Sequence, residues 1–174
     1  MRGGGGGTYG IVTSTTYKTY ETVSLTRASI TIEFSSPEIA QDVTTEYIKL
    51  QSTLCDAGWS ASIILSKSSL SGYLLAPSVP WKESSAAFFS FVRYTEQAGG
   101  RLYLTLTPFD SFYEFFLATL DNDSSTVTGN QIELASRLLP RSGFENDPAQ
   151  VANVLLSVGI SAVTQVNESS FNCS

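Results

Sequence analysis

The first chemical feature of the sequence is an absence, because its 174 residues contain no histidine and only two cysteines, Cys55 and Cys173. A Ser-His-Asp triad, a Cys-His dyad and a zinc cluster each need side chains that this composition does not supply. Cys55 falls in an apolar helical pattern and Cys173 in a polar stretch, so Cys55 is interpreted as a buried small hydrophobe. A disulfide between the two stays open. The sequence predicts no metal site.

Two carboxylates are spaced so that they could act together. Asp110 and Glu114 are four residues apart in a predicted helix, which is a spacing that could present an acid/base pair. The simpler interpretation is that Asp110 is the N-cap of that helix and Glu114 a solvated residue within it. No residue of the chain is identified as a catalytic base.

Arginine, tyrosine and threonine side chains are further candidates for contact with a substrate. Arg137 and Arg141 flank the apolar end of a predicted strand, where Arg137 could bind an anionic substrate, although a structural ion pair is the favoured interpretation. Tyr103, Thr105 and Thr107 alternate along another predicted strand and therefore share one face of it. For Tyr103, packing in the core is the competing interpretation.

The candidate residues must be positioned by strands and helices. Residues 9–20 and 28–35 are rich in β-branched and aromatic residues that alternate with period two, a pattern that predicts strands. Ser36, Pro37 and Glu38 then supply an N-cap, a proline at the first helical position and an early acid, and Gly58 ends the predicted helix. Residues 59–66, 72–76 and 101–107 predict strands, with a helix from Pro80 to the Gly99-Gly100 pair between the last two.

From residue 28 to 107 the order is β-α-β-β-α-β, the ferredoxin-like unit, so the predicted fold class is α+β, a mainly antiparallel sheet with helices packed on one face. Four further elements are predicted after this unit. They are a short helix after Asp110, strands at 131–139 and 160–166, and a helix that starts at Asp147-Pro148.

Five glycines, Gly3 to Gly7, stand directly before the first predicted strand. A flexible linker is one explanation. A backbone that must pass close under a flat ligand is another, because it needs residues without β-carbons just before the strand that anchors it. The dinucleotide fingerprint is excluded, since it requires a strand before the glycines and a helix after them.

Residues 3–13, G-G-G-G-G-T-Y-G-I-V-T, closely resemble the segment that ends the flavin-binding part of the berberine-bridge-enzyme-like branch of the vanillyl-alcohol-oxidase (VAO) superfamily, with its PCMH-type FAD-binding domain. Residues 107–116 (T-P-F-D-S-F-Y-E-F-F) and 136–142 (S-R-L-L-P-R-S) also look like this family. The resemblance implies FAD as cofactor. The main chain expected against the flavin comprises Gly6, Gly7, Thr8, Tyr9, Gly10 and Val12, where Tyr9 replaces the family's usual Phe.

The resemblance also implies an activity, the transfer of a hydride from a small organic substrate to flavin, which oxygen then reoxidises. In the family the sheet of the substrate domain covers the cavity above the flavin. The residues expected to face a substrate are therefore Tyr103, Thr105, Thr107 and Arg137. The family's diphosphate-binding loop, its flavin-linking histidine and cysteine, and its Tyr- and Asn-rich C-terminal segment have no counterpart in this sequence. We therefore expect a fragment that is cut at both ends, does not retain FAD and is inactive alone.

The predicted organisation is a remnant of the FAD-binding domain at 1–20, a substrate-binding-type α+β domain at 21–166 and a polar tail at 167–174. The surface of such a domain that faces the FAD-binding domain would be exposed, so self-association is expected. The alternative function is a non-catalytic α+β module that binds a small apolar ligand or a protein partner.

The formal net charge is −6, and the ten basic residues are scattered singly, which argues against nucleic acid and membrane surfaces as partners. Glycosylation sequons at Asn122, Asn167 and Asn172 predict secretion if a full-length parent carries a signal peptide.

Overall fold

The computed structural model describes residues 10–11, 13–18, 21–77, 81–120, 139–158 and 160–165. The strands among these residues are β1 (Leu25–Glu33), β2 (Ser60–Ser66), β3 (Ser69–Pro77), β4 (Arg101–Phe109) and β5 (Ile160–Gln165). The helices are α1 (Pro37–Asp56), α2 (Trp81–Gln97), α3 (Phe112–Thr119), α4 (Arg141–Asn146) and α5 (Pro148–Ser157).

The strands form one five-stranded sheet in the order β4-β1-β3-β2-β5. Every neighbouring pair is antiparallel. The register places Ile30 of β1 opposite Leu104 of β4 and Gly72 of β3. The predicted β-α-β-β-α-β unit and the α+β fold class are confirmed.

One face of the sheet is the core face, which α1, α2 and α5 cover. Alternate residues of β1 (Ala28, Ile30 and Ile32) are buried on it. Aromatic side chains of α1, α2 and the α1–β2 turn contact one another in the same core, with ring centroids 6.0 Å apart for Tyr47 and Phe91 and 5.5 Å apart for Trp59 and Phe88. A single apolar core thus holds the sheet and these helices together.

Both ends of α1 form where local chemistry predicted them. Ser36 Oγ accepts a hydrogen bond from the Ile39 main-chain N–H at 3.3 Å, and Pro37 is the first helical residue. At the other end Gly58 has φ +80°, and the N–H groups of Gly58 and Trp59 donate to the carbonyls of Cys55 and Leu54. These two bonds make a Schellman motif, which favours glycine because of its positive φ.

The strand predicted at residues 9–20 is wrong for the residues that are described there, because 10, 11 and 13–18 belong to no strand. The side chains of Ile11 and Tyr17 are 94% and 80% exposed. Strand propensity measures how well a residue fits a pleated surface, and a strand forms only where another chain segment completes its hydrogen bonds. No strand among the described residues pairs with this segment.

The C-terminal part of the sequence predictions has a mixed outcome. Asp147 caps α5 by accepting a hydrogen bond from the Gln150 N–H at 3.0 Å, as predicted, and β5 pairs with β2 at the sheet edge. The strand predicted at 131–139 lies outside the described residues except for Leu139, which is exposed and in no strand. Helix α4 was not predicted. Cys55 is only half-buried, and Cys173 lies outside the described residues.

Candidate functional site

The sheet face opposite the core face is here called the open face, and its composition differs from that of the core. Since directly opposed residues of antiparallel strands share a face, the register fixes its members. Glu33 and Arg101 stand at one end of this face. Its other members are mostly hydroxyl-bearing residues with one arginine: Arg27, Ser29 and Thr31 of β1; Ser71, Tyr73 and Leu75 of β3; Ser60, Ser62 and Ile64 of β2; and Tyr103, Thr105 and Thr107 of β4.

The substrate-side candidates of β4 all lie on the open face. Tyr103 stands opposite Thr31, Thr105 opposite Ser29, and Thr107 opposite Arg27. The side chain of Tyr103 is 54% exposed, so the alternative in which it packs in the core is wrong. The structure therefore brings these three hydroxyls together on one surface, while their contact with a substrate stays a prediction.

Helix α3 lies across one end of the open face. Phe115 anchors it there, with 1% of its surface exposed and ring centroids 5.9 Å from Tyr73 and 5.7 Å from Phe109. Other apolar side chains of α3 point away from the sheet, and those of Phe112 and Tyr113 are more than half exposed. One helix thus covers part of the face and leaves the half around Tyr103 uncovered.

The start of α3 corrects the interpretation of Asp110 and Glu114. The N-cap is Ser111, whose Oγ accepts a hydrogen bond from the Glu114 N–H at 3.1 Å. Glu114 Oε2 in turn accepts a hydrogen bond from the Asp110 N–H at 3.1 Å, so Glu114 is a capping residue and not only a solvated one. Asp110 contributes its main-chain N–H to this end. The Glu114 carboxylate serves the cap, which argues against a role in an acid/base pair.

Arg27 is the candidate that sequence analysis did not identify. It is half-buried, and its guanidinium carbon lies 5.2 Å from the centre of the Tyr73 ring. Nη1 donates a hydrogen bond to Thr119 Oγ1 of α3 at 3.1 Å, which fixes the plane of the group. The Nε atom is buried and has no hydrogen-bond partner. Its only signal in the sequence is a cation directly before the strand predicted from residue 28.

A groove of about 520 Å³ opens between the start of α3, the α1–β2 turn and the segment that precedes β1. It lies beside the end of the open face that α3 covers. Its lining combines apolar side chains with hydroxyls and one carboxylate, and includes Glu21, Val23, Leu25, Ser60, Leu75 and Phe112. The groove is separate from the uncovered half of the open face around Tyr103.

Arg141 has a structural role. Its guanidinium donates to both Asp56 carboxylate oxygens, at 2.6 and 2.7 Å, and to Glu145 Oε1 at 2.6 Å. Hydrogen bonding to this cation lowers the pKa of Asp56 below its usual value. The pair ties α4 to the end of α1.

The remaining predicted site residues fall largely outside the described residues. This applies to Arg137 and to Gly6, Gly7, Thr8, Tyr9 and Val12 on the flavin side, and to the three sequon asparagines. Gly10 is described and has φ +148°, and no other described atom lies within 4 Å of the position that its β-carbon would take. These flavin-side contacts stay predictions.

The described residues contain neither a membrane-spanning helix nor a cluster of metal ligands. No helix among them is long and apolar enough to cross a bilayer. Within the same residues, no three His, Cys, Asp or Glu side chains are grouped as metal ligands would be.

Comparison with known proteins gave one informative result. No protein-family model matches the chain, and no curated protein matches it. The fold is similar to that in the crystal structure of a VAO-type flavoprotein, MtVAO615 from Myceliophthora thermophila C1, with a TM-score of 0.61 and 16% sequence identity. The similarity covers 78% of this chain and 26% of that one, so the chain spans about a quarter of the flavoprotein's length. The chain therefore shares the fold of one part of a VAO-type flavoprotein.

Proposed function

We propose that this chain is the substrate-side domain of a berberine-bridge-enzyme-like, FAD-linked oxidoreductase, in which a small organic substrate gives a hydride to flavin and oxygen reoxidises the cofactor. The observation that carries the proposal is the shared fold with part of a VAO-type flavoprotein over 78% of the chain. The resemblance of residues 3–13 to the end of a flavin-binding segment supports it independently of the fold. The open face supplies a surface suited to a substrate.

The described residues do not by themselves fit FAD. The one predicted flavin-side residue among them, Gly10, has no described atom around the position of its β-carbon that could form part of a cradle. We therefore assign FAD binding to protein outside the described residues, and we expect the isolated chain to be colourless. Hydride abstraction is the chemistry that the flavin supplies when bound.

The part that we assign to this chain is binding and orientation of the substrate. The open face presents the hydroxyls of Tyr103, Thr105 and Ser29 in two adjacent rows of the sheet. Hydroxyl groups both donate and accept hydrogen bonds, so they suit an uncharged polar part of a substrate. Because they stand on rigid strands, they would hold that part in a fixed orientation and exclude water from it.

The proposal is tested by translating the DNA upstream of the Met1 codon and expressing the longer product. We expect an in-frame glycine-rich diphosphate loop with a nearby histidine, and a product that is yellow and forms hydrogen peroxide from a substrate. In that product Tyr103→Phe should raise KM or lower kcat, whereas Arg93→Gln on the exposed side of α2 should change neither. An upstream sequence without such a loop, or a longer product that never binds flavin, would refute the proposal.

A second candidate function is a non-catalytic module that binds a small apolar molecule or a protein partner. The observations that favour it are the groove of about 520 Å³ and the exposed aromatic side chains of Phe112 and Tyr113 beside it. Size-exclusion chromatography with an apolar dye separates the two candidates. A domain that normally packs on a flavin domain should self-associate and bind the dye, whereas an independent module should be monomeric or form one defined oligomer.

A further inference from the structure

We propose that Arg27 binds the carboxylate group of a small organic ligand on the uncovered half of the open face. The inference rests on the proposed function for its setting, since it names the chemical class of the substrate that the face would hold. Its physical basis, however, lies entirely in the described residues.

The first argument is charge compensation. Arg141 pairs with Asp56 and Glu145, and Arg101 lies 3.7 Å from the Glu33 carboxylate. Arg27 makes no ion pair with any described carboxylate. Among the arginines and lysines whose side chains the structure describes, it is also the one that is half-buried, while the others are exposed to water. A guanidinium removed from water without a counter-anion is unfavourable, so this position favours an anion from outside the described residues.

The second argument is geometry. The hydrogen bond to Thr119 and the stacking on Tyr73 hold the guanidinium in one plane, so little freedom would be lost on binding. Nε is buried without a hydrogen-bond partner, and Nη1 already donates to Thr119. The free edge of the guanidinium is therefore the Nε–Nη2 edge, the one that a carboxylate can approach with both oxygens. Contact with both carboxylate oxygens requires Nε, which is buried, to become accessible.

The third argument is direction. The guanidinium lies over the ring of Tyr73, which stands opposite Ser29 and not opposite Arg27 itself. The guanidinium therefore contacts both α3, through Thr119, and the row of Ser29 and Tyr73, which is next to the row of Tyr103 in the uncovered half. In that half Tyr103 and Ile64 are 54% and 53% exposed and flank the short side chains of the central strands. An organic group could lie between them with its acid group on Arg27.

The fourth argument separates a carboxylate from a phosphate. Phosphate sites gather several cations or several converging main-chain N–H groups. Arg27 stands among uncharged neighbours on the open face, with Thr107 opposite it on β4 and Leu75 opposite it on β3. The chain carries a formal net charge of −6, which disfavours a dianion further. One planar cation among hydroxyls and apolar groups suits a monoanionic, planar carboxylate.

The test titrates the 174-residue chain with benzoate, its uncharged analogue benzamide and inorganic phosphate, followed by NMR and calorimetry. We expect benzoate to bind at least about ten-fold more tightly than benzamide and phosphate, because a charge-assisted hydrogen bond contributes that much or more. Arg27→Gln should weaken benzoate binding by about ten-fold or more. The matched control is Arg101→Gln, which removes a cation from β4 on the same face and should change the affinity less than two-fold.

A measurement on the unaltered chain keeps the test valid if Arg27→Gln does not fold. The Arg27 Nε–H resonance should shift on addition of benzoate and stay in place with benzamide. Equal affinity for benzoate and benzamide, an unchanged affinity in Arg27→Gln, or tighter binding of phosphate than benzoate would each overturn the proposal. The benzoate experiment needs no flavin. A negative result would overturn the role of Arg27 without affecting the proposed oxidoreductase function, and a longer product that binds no flavin would refute that function without affecting benzoate binding.

Discussion

Replacement of Gly72 by alanine should strongly destabilise the protein. Gly72 lies in β3, between Ile30 on β1 and Ile63 on β2, with φ +153°. A β-carbon at this position would stand 2.1 Å from the Ser62 carbonyl oxygen and 2.9 Å from the Ile63 Cα. Both contacts are with main chain, so no side chain can rotate away to relieve them.

The size of the effect follows from two terms. A non-glycine residue held at this φ costs about 1–3 kcal/mol. Relief of the overlap requires β2 and β3 to separate by roughly 1 Å, which weakens hydrogen bonds of the ladder that contribute about 1 kcal/mol each. Together these terms give a loss of about 3–5 kcal/mol, a large part of the roughly 5–15 kcal/mol of a typical domain.

The assay is urea unfolding followed by far-ultraviolet circular dichroism. The matched control is Gly143→Ala in α4, where the nearest atom to the new β-carbon would be Val151 Cγ2 at 4.0 Å. Alanine in a helix is favoured over glycine, so this control should be neutral or more stable by about 0.5–1 kcal/mol. If Gly72→Ala stays within about 1 kcal/mol of the parent, the β2–β3 register is wrong and Tyr73 loses its place on the open face.

Three further predictions concern other parts of the molecule. Burial raises the pKa of Tyr47, so the folded state loses stability as the pH rises above about 10, the usual tyrosine pKa, and Tyr47→Phe should flatten this alkaline limb in urea midpoints measured against pH. Hydrogen bonding with Arg141 lowers the pKa of Asp56, so the ion pair stabilises the fold above the usual carboxyl pKa and this stabilisation is lost as the pH falls below it. Asp56→Asn should therefore make the fall of the thermal midpoint at acid pH shallower, and an unchanged fall would contradict the ion pair. Phe115→Ala should cost about 3 kcal/mol or more and speed amide exchange in α3 before the sheet, whereas uniform exchange would show that α3 does not open separately.

The elements that the sequence predicted correctly are those whose ends depend on local chemistry. Ser36, Pro37 and Gly58 define α1 through interactions within a few residues. The errors arise where a distant chain segment or a neighbouring residue determines whether an element forms or where it begins. Residues 9–20 have strand propensity, but none of the described ones has a pairing partner. At α3, Ser111 displaces Asp110 as the cap: its hydroxyl accepts from the Glu114 N–H, while the Glu114 carboxylate accepts from the N–H of Asp110 just before the cap.

The candidate site could be predicted only in part, for the same reason. Alternation along β4 was enough to show that Tyr103, Thr105 and Thr107 share a face. Arg27 became recognisable only through contacts with Tyr73 on a strand three elements further along the chain and with Thr119, which is 92 residues further along. Neither contact follows from periodicity. They require the register of β1 with β3 and the position of α3 on the face opposite the other packed helices.

The composition of the open face is itself an argument about what covers it. A sheet face that meets bulk water usually carries charged side chains, and here Glu33 and Arg101 stand at the end of the face, beside each other. The rest of the face holds mainly hydroxyls, with one arginine, Arg27, stacked on Tyr73. Burying a charged group costs far more than burying a hydroxyl that finds a hydrogen-bond partner, so a face built mainly of serine, threonine and tyrosine can be covered at little cost. Arg27, the cation of this face that has no ion pair with a described carboxylate, is then the place where the covering group must bring a negative charge.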